Sequence, residues 1–225
     1  MTLSRPISVV IADPNELRRN AMAAALTAAS GSSEVHGTPV AVIGHAGVDE
    51  DAINIVLELA PDVALVSVDD VAAFDGRAVC LVCSERMGVT RLVAVAETET
   101  PALYATLRSG AFSTYLRSAP VLPLARTLWG AQRGESVLSP GAAAWLIAEI
   151  EHLVNGDDDL ETVPPMLSEL ERSVLQALAD GATPQDVAND LLITVHMVNT
   201  LAGHGLAKLH RTLRDDRELK LARQS

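Results

Sequence analysis

The sequence predicts two domains, a doubly wound α/β sheet followed by a small all-α domain. Three observations predict this. Apolar strand-like runs alternate five times with helix-length segments in the first 135 residues, the pattern of a parallel sheet with helices on both faces. The stretch NGDDDLETVPPM, Asn155 to Met166, combines Gly, acids and a Pro pair without apolar periodicity and reads as a linker. Beyond it, apolar residues recur at helical spacing in short blocks separated by turn residues. The expected division is 1–135 for the α/β domain, 136–166 for a helix and acidic, Pro-containing linker, and 167–225 for the helical domain. A chain of 225 residues can give each domain its own core.

In order, SVVIAD precedes ELRRNAMAAALTAA, VAVIG precedes DEDAINIVLELA, and DVALVSV precedes GRAVCLVCSERM. RLVAVA then precedes PALYATLRSGA, and STYL precedes PLARTLWGAQRG. In such a sheet the working crevice lies outside the carboxyl ends of the strands. Those ends are expected at Asp13, Gly44, Ser67, Ala96 and Leu116 to Arg117. In the last domain, Val174, Leu175 and Leu178 face Val187, Ala188 and Leu191, and Gly181 closes the first helix. Thr183 and Pro184 cap the second, Ile193 plugs the turn, and a third helix begins after Thr194. Gly203 and Gly205 are expected to interrupt that helix, each costing about 1 kcal/mol relative to Ala.

Composition excludes several classes. The chain is 48% apolar and 3% aromatic, which suits a globular α/β or all-α protein rather than a disordered one. The start, MTLSRPISVVIAD, has no apolar core before a small-residue cleavage site, and no uncharged run reaches the ~18 apolar residues a bilayer needs. A cytoplasmic protein without membrane contact is expected. Cys80 and Cys83 form a lone C-x-x-C with no second pair at zinc spacing, so they read as buried structural thiols, with no metal and no cofactor implied. A net charge of -12 gives no general attraction to nucleic acid, so DNA binding would need a local basic patch. Such a patch runs from Gly203 to the end, with six Lys or Arg against three acids.

The order of these units resembles the receiver domain of a two-component response regulator across residues 7 to 135. The segment LSELERSVLQALADGATPQDVANDLLITVHMVNTLAGHGLAKL, Leu167 to Leu209, resembles the LuxR-type helix-turn-helix of the NarL/FixJ class. Leu167, Ser168, Glu171, Val174, Leu175, Ala179, Gly181, Thr183, Ala188, Leu191, Ile193, Thr194 and Val198 match its pattern. The resemblance implies a (βα)5 receiver-like fold plus a small LuxR-type domain. It also implies a crevice in which paired acids and an aspartate hold Mg²⁺ and that aspartate accepts a phosphoryl group. Each role needs a carboxylate. This chain has Asp13 and Pro14 at the acid pair, Ser67 at the nucleophile, Ala96 at the hydroxyl relay and Arg117 at the usual Lys. The phosphorylation pocket is thus degenerate, and Arg117 is expected to pair with Asp13. Asp69 and Asp70 follow the strand and read as caps of a turn or the next helix rather than substitute acceptors.

The DNA-binding residues implied are Thr194, His196, Asn199, Thr200, His204 and Lys208, with Asn199 in place of the family's Lys and Leu201 in place of its common His. Asn199 and Thr200 can read base edges, while His210, Arg211 and Arg214 add phosphate contacts. NarL-class receivers often pair through their first and last helices, which here offer Leu17, Met22, Leu124 and Leu128 beside Arg18, Arg19 and Arg126; the alternative is that these leucines pack inward on the sheet. The expectation is a phosphorylation-independent transcription regulator, not an enzyme, that binds DNA as a homodimer or a heterodimer with another response regulator. It resembles the atypical orphan regulators of filamentous actinobacteria, the WhiI type. Two alternatives are an interaction module that has lost autonomous DNA binding and a sensor binding a small molecule in the vacant crevice.

Overall fold

The computed structural model describes residues 5–30, 38–47, 49–68, 75–86, 90–118, 121–155 and 162–224. The chain divides into two compact units, Met1–Gly134 and Glu135–Ser225. In the first, β1 (Ile7–Ala12), β2 (Val40–Ala46), β3 (Val63–Ser67), β4 (Arg91–Ala96) and β5 (Ser113–Leu116) form a parallel sheet in the order β2-β1-β3-β4-β5. Helices α1 (Glu16–Ser30), α2 (Asp49–Leu59), α3 (Gly76–Arg86), α4 (Pro101–Arg108) and α5 (Val121–Gln132) alternate with the strands. The fold is the (βα)5 architecture that the alternating pattern predicts.

Side chains alternate across each strand, and both faces are covered. Ile7, Val9 and Ile11 of β1, Val63 and Leu65 of β3, and Val93 and Val95 of β4 form one core with Leu26 of α1 and Leu124, Leu128 and Ala131 of α5. Alternate residues such as Val10, Ala64, Val66 and Ala94 are equally buried on the other face, where α2, α3 and α4 pack. Cys80 and Cys83 lie buried in α3, and burial pushes the Cys80 thiol well above its ordinary pKa. At the amino end of the sheet, Asp62 accepts from the Ser8 N–H at 2.8 Å, the Ser8 hydroxyl at 2.7 Å and Arg5.

Gly44 is not the end of β2, as the apolar run VAVIG suggested. The strand continues to Ala46 because its pairing with β1 slips between Val9 and Val10, leaving Ile43 as an extra, exposed residue. Gly44 serves packing instead, since a Cβ there would lie 2.7 Å from Ile55 Cδ1 on α2.

The second unit holds α6 (Pro140–Val154), α7 (Glu169–Ala179), α8 (Pro184–Asp190) and α9 (Val195–Gln224). Helix α6, expected between the domains, buries Leu146, Ile147, Ile150 and Leu153 and packs on α7 and α9. Local chemistry sets the ends of α7 and α8. Ser168 with Glu171 and Thr183 with Asp186 make reciprocal capping boxes, with Pro184 at the first helical position of α8. Gly181 takes φ +91° after α7, and the Ala182 N–H reaches the Ala177 carbonyl at 3.0 Å, closing a Schellman motif. Leu192 repeats that geometry after α8 at φ +55°, an uncommon conformation for a branched side chain, and is 93% exposed.

Helix α9 runs unbroken for 30 residues through Gly203 and Gly205, contrary to the expected interruption. A Cβ at Gly205 would meet Leu146, Leu167 and Leu175 at 3.3 to 3.4 Å, so the glycine lets two core leucines and the half-buried Leu167 close on the helix. Tertiary packing here outweighs helix propensity.

Candidate functional site

Parallel register aligns the strand ends of the first unit. Ala12 pairs with Val66, Ser67 with Val95 and Ala96 with Leu116, which brings Asp13, Ser67, Ala96 and Arg117 to one edge of the sheet. Asp13 is fully buried, Ser67 and Ala96 are 1% exposed, and Pro14 is half-buried. Arg18, in the first turn of α1, reaches back over the Asp13 carboxylate, with Nε at 3.0 and 3.1 Å from its two oxygens and Nη2 at 3.0 Å from Oδ1. This follows the helix direction, because side chains tilt toward the N-terminus. The Asn15 N–H donates to Asp13 Oδ1 at 2.7 Å, and the Asn15 side chain in turn caps α1 at the Arg18 N–H. Arg19 donates to the Asp13 carbonyl at 2.6 Å. Arg117 approaches Asp13 Oδ2 at 3.7 Å and donates to Ser67 Oγ at 3.4 Å and to Glu97 at 3.1 Å.

These residues do not suit a divalent cation. Mg²⁺ wants several oxygen ligands, including carboxylates with free lone pairs. Here the Asp13 oxygens already accept from N–H donors, and two guanidinium groups flank the carboxylate. Among the described residues no group of three or more His, Cys, Asp or Glu could hold a metal. Asp69 and Asp70 lie outside the described residues. Sequence reasoning put Arg18 beside the expected interface and missed its place at the crevice, although a cation in the first turn of the helix that follows a buried acid is a legible signal.

In the second unit, Thr194 is exposed and accepts from the Met197 N–H at 3.1 Å, starting α9. The His196 side chain is 61% exposed and its Nδ1 lies 2.8 Å from Oε1 of buried Glu135. Asn199 and Thr200 are half-buried, and the Thr200 hydroxyl donates to the His196 carbonyl at 2.8 Å. His204 is exposed. Lys208 differs from the rest. Its Nζ donates to Glu171 Oε2 at 2.6 Å and to the Met166 carbonyl at 3.1 Å, inside the domain. Burial would raise the Glu171 pKa, but the hydrogen bonds and charge of Lys208 and the capping bonds of Ser168 outweigh it and hold the carboxyl below its ordinary value. The α7 capping box supplied the missed signal: S-x-x-E fixes the carboxylate that receives Lys208. Met197 is 43% exposed in the first turn of α9.

The residues expected at a dimer interface separate. Leu124 and Leu128 are 2% and 0% exposed and belong to the sheet core, so they cannot also present an interface. Met22 packs partly on the same core, while Leu17 is 79% exposed. Helical periodicity decides this, since Leu124 and Leu128, four residues apart, lie on the face of α5 that covers the sheet.

No family model matches the chain. The transcriptional regulatory protein LiaR of Bacillus subtilis is 26% identical over 204 residues, 90% of each chain. The DNA-binding transcriptional activator DevR/DosR of Mycobacterium tuberculosis is 29% identical over 171 residues, 75% of this chain and 76% of that one. Among solved structures, the receiver domain of the response regulator NarL from M. tuberculosis aligns with a TM-score of 0.50 at 24% identity, covering 58% of this chain and 98% of that one. A LuxR-family two-component response regulator from Aurantimonas sp. SI85-9A1 aligns with a TM-score of 0.52 at 15% identity over 64% of this chain and 98% of that one. No described helix is long and apolar enough to cross a membrane. Order of elements, helical caps and these likenesses agree at one level: the chain is similar in sequence to response-regulator-type transcription regulators, and it has a receiver-like (βα)5 fold followed by an all-α, helix-turn-helix-like unit.

Proposed function

We propose that the chain is a transcriptional regulator that binds DNA through α8 and α9, and that its receiver-like crevice operates without phosphorylation. The relatives LiaR and DevR/DosR, named as transcription regulators, support the first part. The single observation that carries the second is the charge arrangement at the crevice. Asp13 is ion-paired to Arg18 and Arg117, and a serine stands where the resemblance puts the phosphoacceptor. Acetyl phosphate or beryllofluoride with Mg²⁺ should then leave mass, oligomeric state and DNA affinity unchanged. An acid-labile phosphoryl adduct on Asp69 or Asp70 overturns the reading.

The working form is a dimer, either of this chain or with another response regulator, and Leu17 on α1 is its apolar anchor. One observation favours the alternative of an interaction module without DNA binding of its own: residues 195–207 at the start of α9 hold no Lys or Arg, and the next cation, Lys208, is paired with Glu171. A DNA-binding selection with the purified chain, alone and with copurifying regulators, separates the two. Failure to select any duplex in both arms favours the interaction module.

A further inference from the structure

Residues 135–139 lead into α6, and Glu135 and Ser136 touch the first turns of α9. The Glu135 side chain, 4% exposed, meets His196 Nδ1 at 2.8 Å. The Ser136 N–H donates to the Asn199 carbonyl at 2.9 Å, an oxygen that helix geometry already assigns to residue 203. His196 and Asn199, three residues apart, share one helix face. That face belongs to the helix a helix-turn-helix protein presents to base edges. A carboxylate lodged against it opposes the approach of phosphates. The contact also carries a defect: Ser136 Oγ is buried with no hydrogen-bond partner among the described residues. A buried hydroxyl without a partner loses its hydration uncompensated, which weakens the docked arrangement relative to an open one in which water reaches it.

We propose that Glu135 and Ser136 form a latch on the first turns of α9 that lifts before the helix enters a groove. The latch rests on the DNA-binding reading above and gives it a regulation: apparent affinity is set by the open fraction, so loosening the latch raises it and tightening the latch lowers it. Two substitutions act in opposite directions. Glu135→Gln removes the charge that holds His196. Ser136→Ala removes the orphan hydroxyl, keeps the amide donor and leaves the charge unchanged.

The test is fluorescence anisotropy of the full chain on mixed-sequence duplex DNA across a salt series. Glu135→Gln should bind about fivefold tighter, with its plot of log K against log salt displaced parallel to that of the wild type, because the lifted carboxylate lies away from the phosphates. Ser136→Ala should bind about threefold more weakly. In the free chain the Ser136 amide should be protected from hydrogen exchange and should lose that protection when DNA is added. A wild type that binds while Glu135→Gln is unchanged, or gains affinity only at low salt, overturns the latch alone, as does a Ser136→Ala variant that binds as well as the wild type. If neither the wild type nor either variant binds any duplex at any salt, the DNA-binding reading falls and the latch with it.

Discussion

Arg18 lies across the buried carboxylate of Asp13, its Nε 3.0 and 3.1 Å from the two oxygens, so a cation from the same chain sits where the family resemblance implies a metal. An uncompensated buried carboxylate is costly, and the Arg18 hydrogen bonds relieve that cost.

Removing that partner should therefore destabilise the first unit. Arg18→Ala is expected to cost about 1–3 kcal/mol, below the value for a fully buried pair because Arg18 is 32% exposed and Arg117 remains nearby. Adding Asp13→Asn should recover much of the loss. Urea unfolding of the two single variants and the double variant checks this, and a double-variant loss equal to the sum of the single losses would show that the pair carries no coupling.

Leu17 and Leu128 should respond oppositely to the same change. Leu128→Glu puts a charge into the sheet core and should cost more than about 4 kcal/mol, so the first unit fails to fold. Leu17→Glu should change stability by less than about 0.5 kcal/mol, since Leu17 is 79% exposed. Any shift in sedimentation of the folded Leu17→Glu chain then reports on assembly.

Gly205 should tolerate little bulk. Gly205→Val gains helix propensity but pushes a branched side chain against Leu146, Leu167 and Leu175, for a net loss of about 1–3 kcal/mol. Thermal unfolding of the second unit measures it, and a raised midpoint would mean the leucines can repack.

The Glu171 carboxyl titrates below its unfolded value, so its ion pair with Lys208 contributes stability above the unfolded pKa of about 4.3. That contribution is lost as pH falls through the depressed folded value. Acid unfolding of the second unit should be less steep in Glu171→Gln, which has no such carboxyl to protonate. Lys208→Met should cost about 1–3 kcal/mol of stability at neutral pH. A Lys208 variant of unchanged stability would return that side chain to the phosphate-contacting role.

Asn199→Ala should relax selectivity at one base position by about 1–3 kcal/mol while leaving binding to other positions alike. Competition binding against single-position variants of a selected site reads this directly, and a uniform loss at every position would show that Asn199 acts only on the backbone.

The sequence by itself determined what depends on neighbours in the chain. Alternating apolar runs specify β1 through β5, and Thr183-Pro184 and Gly181 mark their helix boundaries, because periodicity and capping act over a few residues. The candidate crevice was partly legible for the same reason, since strand ends place Asp13, Ser67, Ala96 and Arg117 along one edge. Only the tertiary structure decided which charges meet. Lys208 finds Glu171 across 37 residues and His196 finds Glu135 across 61, and neither helix pattern distinguishes these partners from solvent. The glycines of α9 make the same point: local propensity reads Gly205 as a break, but three leucines brought from α6, α7 and the segment before α7 require its missing side chain. Propensity amounts to about 1 kcal/mol per residue, whereas burying a leucine is worth about 1.5–3 kcal/mol, so packing prevails where the two conflict.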